Sequence, residues 1–143
     1  MLEDHAPQTG PIHILLVDDE LGFADVLAKR LERRGVKVSK AFSGTQAIQA
    51  LRHSDYDAAV LDLKLEDMDG IELLKIFKKM DPAMPVIMLT GHGSAQASVE
   101  GLQQGACEYL TKPHDLSALI AHIQAAVGAR REKDGRDQNA SGG

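Results

Sequence analysis

Four segments of the chain run from apolar residues straight into side chains that can do chemistry. Ala58-Ala59-Val60-Leu61 ends in Asp62, and Ile12-His13-Ile14-Leu15-Leu16-Val17 ends in Asp18-Asp19-Glu20. Pro85-Val86-Ile87-Met88-Leu89 ends in Thr90-Gly91, and Ala106-Cys107-Glu108-Tyr109-Leu110 ends in Thr111-Lys112-Pro113. Short apolar runs bounded by turn residues read as buried strands of a parallel sheet. Open α/β sheets hold their ligands at the carboxyl ends of the strands. Strands lying side by side would therefore bring Asp18, Asp19, Asp62, Thr90 and Lys112 to one rim, with Asp62, at the end of the central run, as the candidate reacting group. Three carboxylates there repel one another, each pair by roughly 4 kcal/mol at about 4 Å and an effective dielectric near 20. Such a cluster needs a cation, and a hard, oxygen-lined site that leaves room for water suits Mg²⁺ or Mn²⁺ better than a fully enclosing Ca²⁺ cage.

The elements that must position these residues can be traced in order. The chain has 143 residues, 43% of them hydrophobic, which suits one domain with one core; an aromatic content of 3% makes that core aliphatic. Residues 1–11 are polar and broken by Pro7, Gly10 and Pro11, and read as a flexible lead-in. After Glu20, the spacing of Phe23, Leu27 and Leu31, with Val26 alongside, predicts a helix that Gly35 stops. Val36-Lys37-Val38-Ser39 alternates as an edge strand does. Ser43-Gly44-Thr45-Gln46 has the form of a capping box and opens a helix through Ala47, Ile48 and Leu51. Beyond Asp62, Asp69-Gly70 marks a turn, and Ile71, Leu74 and Phe77 give the next helix its stripe. Residues 94–104 read as the weakest helix, because Gly101 inside it is disfavoured by about 1 kcal/mol relative to Ala. Asp115 caps a final helix carrying Leu116, Leu119, Ile120, Ile123 and Val127. The folded domain is expected over 12–128, and residues 129–143 as a disordered tail or the start of a linker.

Composition narrows the function. The formal net charge of −5 opposes direct binding to nucleic acid. No run of about 18 apolar residues could span a membrane, and no leader peptide is evident, so a cytoplasmic protein is expected. The single cysteine, Cys107, lies in a predicted strand and is expected to be a buried, inert thiol. The six histidines are scattered over lead-in, strand, helices and loops and form no ligand set.

Five strands alternating with five helices imply a parallel sheet with helices on both faces. Val17-Asp18-Asp19-Glu20, Leu61-Asp62-Leu63 with Met68-Asp69-Gly70, Leu89-Thr90-Gly91-His92-Gly93 and Tyr109-Leu110-Thr111-Lys112-Pro113, in that order, resemble the receiver domain of two-component response regulators. The resemblance covers about Ile12 to Val127. It implies a flavodoxin-like α/β fold with strand order 2-1-3-4-5, and a phosphorylation-controlled module that catalyses only its own phosphorylation and dephosphorylation. It makes Asp62 the phosphoacceptor, served by a sensor histidine kinase or phosphotransfer protein in a phosphorelay. It makes Asp19 and Asp62 direct Mg²⁺ ligands, with Asp18 acting through water and the main-chain carbonyl of Lys64 completing the set. Lys112 and Thr90 would meet the phosphoryl oxygens, and Gly91 would leave them space. Thr90 and Tyr109 would then switch a protein-binding face made by the fourth helix, fifth strand and fifth helix. That face would serve a downstream protein target, an output domain of the same protein, or a phosphorylation-dependent homodimer. Lys64 and His92 take the positions that tune the lifetime of the phosphoryl group, the Lys112-Pro113 bond is expected to be cis, and Glu66, where a proline is common, predicts a looser loop.

Each of these residues has a bland reading of its own. Asp18-Asp19-Glu20 alone reads as a solvated helix start, Thr90 as a turn residue and Lys112 as a surface charge. Their joint placement at strand ends favours chemistry, since folding alone has no use for it. Two alternatives stand beside the receiver. A Mg²⁺-dependent phosphohydrolase with an aspartyl nucleophile would commonly carry a second Asp where Lys64 stands, and an inactive receiver-like scaffold would keep the residues without being phosphorylated.

Overall fold

Five parallel strands, β1 (His13–Val17), β2 (Lys37–Ala41), β3 (Ala58–Leu61), β4 (Val86–Thr90) and β5 (Glu108–Thr111), pair in the order β2-β1-β3-β4-β5. They alternate with α1 (Leu21–Arg33), α2 (Gly44–His53), α3 (Gly70–Met80), α4 (Ala95–Gln103) and α5 (Leu116–Gly142). This is the order the resemblance implies. The computed structural model describes residues 10–112 and 115–142, from 135 onward by backbone alone. The Lys112-Pro113 bond, His114 and most of the lead-in lie outside the described residues.

Strand alternation divides the core into two layers. On one face Leu15, Val17, Ala59, Leu61, Val86 and Met88 pack with α2 and with Ile71, Leu73, Leu74 and Phe77 of α3. On the other, Ile14, Leu16, Val60, Ile87 and Leu89 pack with Leu27 and Leu31 of α1 and Leu119, Ile120 and Ile123 of α5. The central strands are apolar throughout because both their faces are covered. The edge strand β2 does not show the expected alternation: Lys37 and Lys40, on opposite faces, are both exposed, Val38 and Ser39 are half-buried and Ala41 is buried.

Local signals set the helix ends. Ser43 accepts from the Gln46 amide and the Gln46 side chain accepts from the Phe42 amide, while Asp69 caps α3 through Ile71 and Asp115 caps α5 through Ala118. Gly35, at φ +86°, takes the left-handed backbone that ends α1. The buried stripe of α1 is Ala24, Leu27, Ala28 and Leu31, so Val26, expected beside it, is 51% exposed. At about 100° per residue, Val26 falls off that stripe. Cys107 is also exposed, contrary to the expected buried thiol: β5 begins only at Glu108, and the cysteine sits in the turn before it.

The last helix continues past 128, over the stretch expected as a disordered tail or the start of a linker, and its backbone is helical to Gly142. Two arginines hold it to the amino-terminal end of the sheet. Arg131 donates to the carbonyls of Gly10 (2.9 Å) and Pro11 (3.2 Å) and lies 3.3 Å from Asp57 Oδ1, whose other oxygen accepts from the His13 amide at 2.8 Å. Arg130 donates to the Tyr56 carbonyl (3.3 Å) and pairs with Asp134 (3.6 Å) one turn on. Charge that composition reads as solvating is thus engaged with strand-entry loops. Arg131→Met is expected to lower the unfolding free energy by about 1–2 kcal/mol, measured by urea denaturation; an unchanged midpoint would show that the clamp contributes nothing.

Candidate functional site

The carboxyl ends of the strands carry the three buried polar residues found among the described residues: Asp18 (1% exposed), Asp62 (2%) and Thr90 (0%). Register explains their meeting. Val17 pairs with Leu61 and Leu61 with Met88, so Asp18 and Asp62 leave their strands at one level and Thr90 lies just beyond. The ladder continues through both acids, with the Asp18 amide bonded to Ala41 and the Asp62 amide to Val17. The Lys112 amide bonds to the Thr90 carbonyl at 2.9 Å, which sets the lysine on the same rim.

Lys112 Nζ lies at the centre. It donates to Asp18 Oδ2 at 2.6 Å and Glu20 Oε1 at 2.9 Å, stands 3.6 Å from Asp62 Oδ2, and sits 4.2 Å from the centre of the Phe23 ring. Burial pulls its pKa down, but the hydrogen bonds to Asp18 and Glu20 outweigh that and hold the ammonium above its ordinary value. Glu20 is held low by its hydrogen bond to Lys112. Asp18 is pushed up by burial, more than its bond to Lys112 can offset. One ammonium therefore faces more carboxylate than it can neutralise.

The carboxylate oxygens of Asp18, Glu20 and Asp62 lie within 4.8 Å of one another. Asp19 is half-buried and is not in this group. Glu20, to which no role was assigned from sequence, is brought in instead. No periodic signal marked it: β1 ends at Val17, and the turn in which the Glu20 amide donates to Asp18 Oδ1 at 2.9 Å brings Glu20 toward the pocket. Asp62 Oδ1 is buried without a hydrogen-bond partner, an acceptor left to be satisfied by something that enters. Hard oxygen donors around an orphaned carboxylate oxygen fit a divalent cation of the Mg²⁺ or Mn²⁺ kind.

Thr90 Oγ1 accepts from the His92 amide at 3.1 Å, and His92 is exposed. A side chain at Gly91 would meet only Lys112 Cδ, at 3.9 Å, so the protein itself does not require glycine there. Lys64 is exposed and its backbone bridges to Asp69. Gly70 is required: a Cβ there would fall on the Asp62 carbonyl oxygen, and its amide donates to the Leu63 carbonyl at 2.6 Å. Tyr109 lies inward against α4 with its hydroxyl unpartnered. A Cβ at Gly93 would come within 2.6 Å of that hydroxyl, and one at Gly101 within 3.4 Å of the ring. Gly101 therefore weakens α4 locally but gives the tyrosine its seat.

Comparison with known proteins agrees with this geometry. Residues 14–124 match the family model described as response regulator receiver domain. The chain is 41% identical over 117 residues to the transcriptional regulatory protein GlrR of Escherichia coli K12, covering 82% of this chain but 26% of that protein. A CheY-like receiver domain protein from Methanospirillum hungatei superposes with a TM-score of 0.83 at 31% identity, covering 87% of this chain and 99% of that one. The beryllofluoride-activated NtrC4 receiver domain dimer gives a TM-score of 0.78 at 30% identity, covering 82% and 98%.

Removing the ammonium should expose the repulsion it now offsets. Without divalent cations at pH 7, Lys112→Met is expected to lose roughly 3 kcal/mol of stability. Ionised Asp18 is disfavoured by the fold, so the deficit should shrink as pH falls through the Asp18 pKa, which lies above its ordinary 3.8. Unfolding curves with and without Mg²⁺ check this; a variant as stable as the parent at neutral pH would contradict it.

Proposed function

Because the chain belongs to the response regulator receiver domain family, we propose that Asp62 accepts a phosphoryl group from a phosphohistidine of a sensor histidine kinase or phosphotransfer protein. One observation carries the reading: a buried carboxylate at the end of the central strand has one oxygen unpartnered and the other 3.6 Å from an ammonium. An Asp62 oxygen attacks phosphorus, the P–O bond forms, and the P–N bond to the donor imidazole breaks, returning its electron pair to the ring. Such transfer asks the protein for alignment and charge neutralisation rather than for an acid or base. Lys112 supplies positive charge, and Thr90 offers its hydroxyl proton to a phosphoryl oxygen.

Asp18, Asp19 and Asp62 with the Lys64 carbonyl are the groups assigned to a divalent ion, Mg²⁺ or Mn²⁺, with Glu20 sharing the pocket. That ion would supply the further neutralisation that several carboxylates and an entering phosphoryl group demand. Hydrolysis of the aspartyl phosphate restores the resting state, and Lys64, Gly91 and His92 stand where they can tune its rate. A phosphohydrolase is the weaker reading, because the position two beyond the nucleophile, where such an enzyme commonly carries a second Asp, holds Lys64, whose side chain is exposed.

Phosphorylation adds close to two negative charges beside Thr90 and Lys112. Drawing the Thr90 hydroxyl toward them breaks its bond with the His92 amide, which opens the loop leading to α4. Tyr109, seated between Gly93 and Gly101, registers that movement, and the face of α4, β5 and α5 changes. The chain spans 26% of the length of GlrR, so the output is assigned to a partner or to a further domain. The activated NtrC4 receiver domain dimer supports a phosphorylation-dependent homodimer. Among the described residues no helix is long and apolar enough to cross a membrane, in keeping with action in the cytoplasm.

Incubation with acetyl phosphate and Mg²⁺ should add the mass of one phosphoryl group to the protein, and none to Asp62→Asn or in the presence of EDTA. Absence of the adduct on the parent chain would refute the assignment.

A further inference from the structure

The segment joining Asp62 to α3 is fastened to a part of the molecule that takes no part in the chemistry. Asp67 Oδ1 accepts from the Gly44 amide at 2.8 Å; Oδ2 accepts from the Thr45 amide at 2.9 Å and from the Thr45 hydroxyl at 2.8 Å. The first amides of α2 have no partner within the helix. Ser43 takes the Gln46 amide, and Asp67, 23 residues beyond Gly44 and 22 beyond Thr45, takes the two before it. These bonds hold the Asp67 carboxyl below its ordinary range.

A second contact makes the same join independently. Met68 lies across Gly44, where a Cβ would come within 2.5 Å of both its Cγ and its Sδ. At its base the loop is closed by the Gly70 amide on the Leu63 carbonyl, by the Lys64–Asp69 bridge and by the Leu65 amide on the Met68 carbonyl at 3.3 Å. The backbone of Lys64 therefore lies between a closed base and a fastened tip. Glu66, read from sequence as loosening this loop, stands beside the residue that restrains it.

We propose that Asp67 and Thr45 form a clasp that positions the loop 63–69, and through it the main-chain carbonyl of Lys64, for a divalent ion held with Asp62. Asp67 and Thr45 are positioning residues: they act through the backbone of the loop and touch no reacting atom. The inference rests on the assignment of the Asp62 site made above. It also ties α2 to the chemistry, since a partner that displaced the start of α2 would loosen the loop.

The test compares the parent chain with Thr45→Val, Thr45→Ser, Gly44→Ala and Asp67→Ala. Mn²⁺ affinity is read from the spectrum of the free ion by electron paramagnetic resonance, amide hydrogen exchange over residues 63–69 by mass spectrometry, and folding by melting temperature. Thr45 and Asp67 are exposed, so both should tolerate substitution. Thr45→Val and Asp67→Ala are expected to weaken Mn²⁺ binding by about tenfold, the scale of outer-sphere support, and to speed exchange in the loop. Thr45→Ser, which keeps the hydroxyl, should match the parent. Gly44→Ala, which displaces Met68, should behave as Thr45→Val does. Parent-like Mn²⁺ affinity in Thr45→Val and Asp67→Ala would overturn the clasp while leaving the Asp62 assignment standing. A parent chain that binds no Mn²⁺ would overturn both.

Discussion

An excess of buried negative charge organises this molecule. Asp18 and Asp62 are almost wholly removed from water, Glu20 leans in from the loop, and one ammonium serves all three. A folded chain accepts such crowding only where surrounding packing fixes the geometry. Lys112 itself is held by the ladder bond of its amide to Thr90 and by the Phe23 ring beneath its ammonium. The pocket is thus poised: incoming positive charge relieves it, and an incoming phosphoryl group rearranges whatever answers the new charge.

The rest of the fold supplies rigidity in proportion to that need. Two aliphatic layers clamp the sheet from both sides, so the strand ends cannot drift apart without opening the core. Arg130 and Arg131 close the amino-terminal end by tying α5 to the entries of β1 and β3. The loop after Asp62 would be the weak point of such a frame. It is held inward by Gly70, whose missing Cβ lets its backbone approach the Asp62 carbonyl, and outward by Asp67 on α2.

Two buried polar side-chain atoms lack hydrogen bonds among the described residues, and they belong to Asp62 and Tyr109. The first belongs to the proposed phosphoacceptor, and the second lies against Gly93 and Gly101 at α4. Between them stand Thr90, the loop through Gly93, and α4 with a glycine on its buried face. Gly101 costs α4 intrinsic helix stability and in return makes room for the Tyr109 ring.

By itself the sequence determined the alternation of elements, the aliphatic core and the identity of the residues that end the central strands, because burial patterns and abrupt polar endings are local properties. The strand order came through likeness to a known family, and the pairing of the strands bears it out. Only tertiary structure decided that Glu20 joins Asp18 and Asp62 in the pocket, since the bond from Lys112 to Asp18 spans 94 residues and the approach of Glu20 depends on how a short loop turns. It likewise decided that the charged stretch after Val127 is helical and clamped, that Val26 and Cys107 face outward, and that Asp67 reaches α2. Periodicity states which way a side chain points along its own element; what it meets there depends on elements far away in the chain.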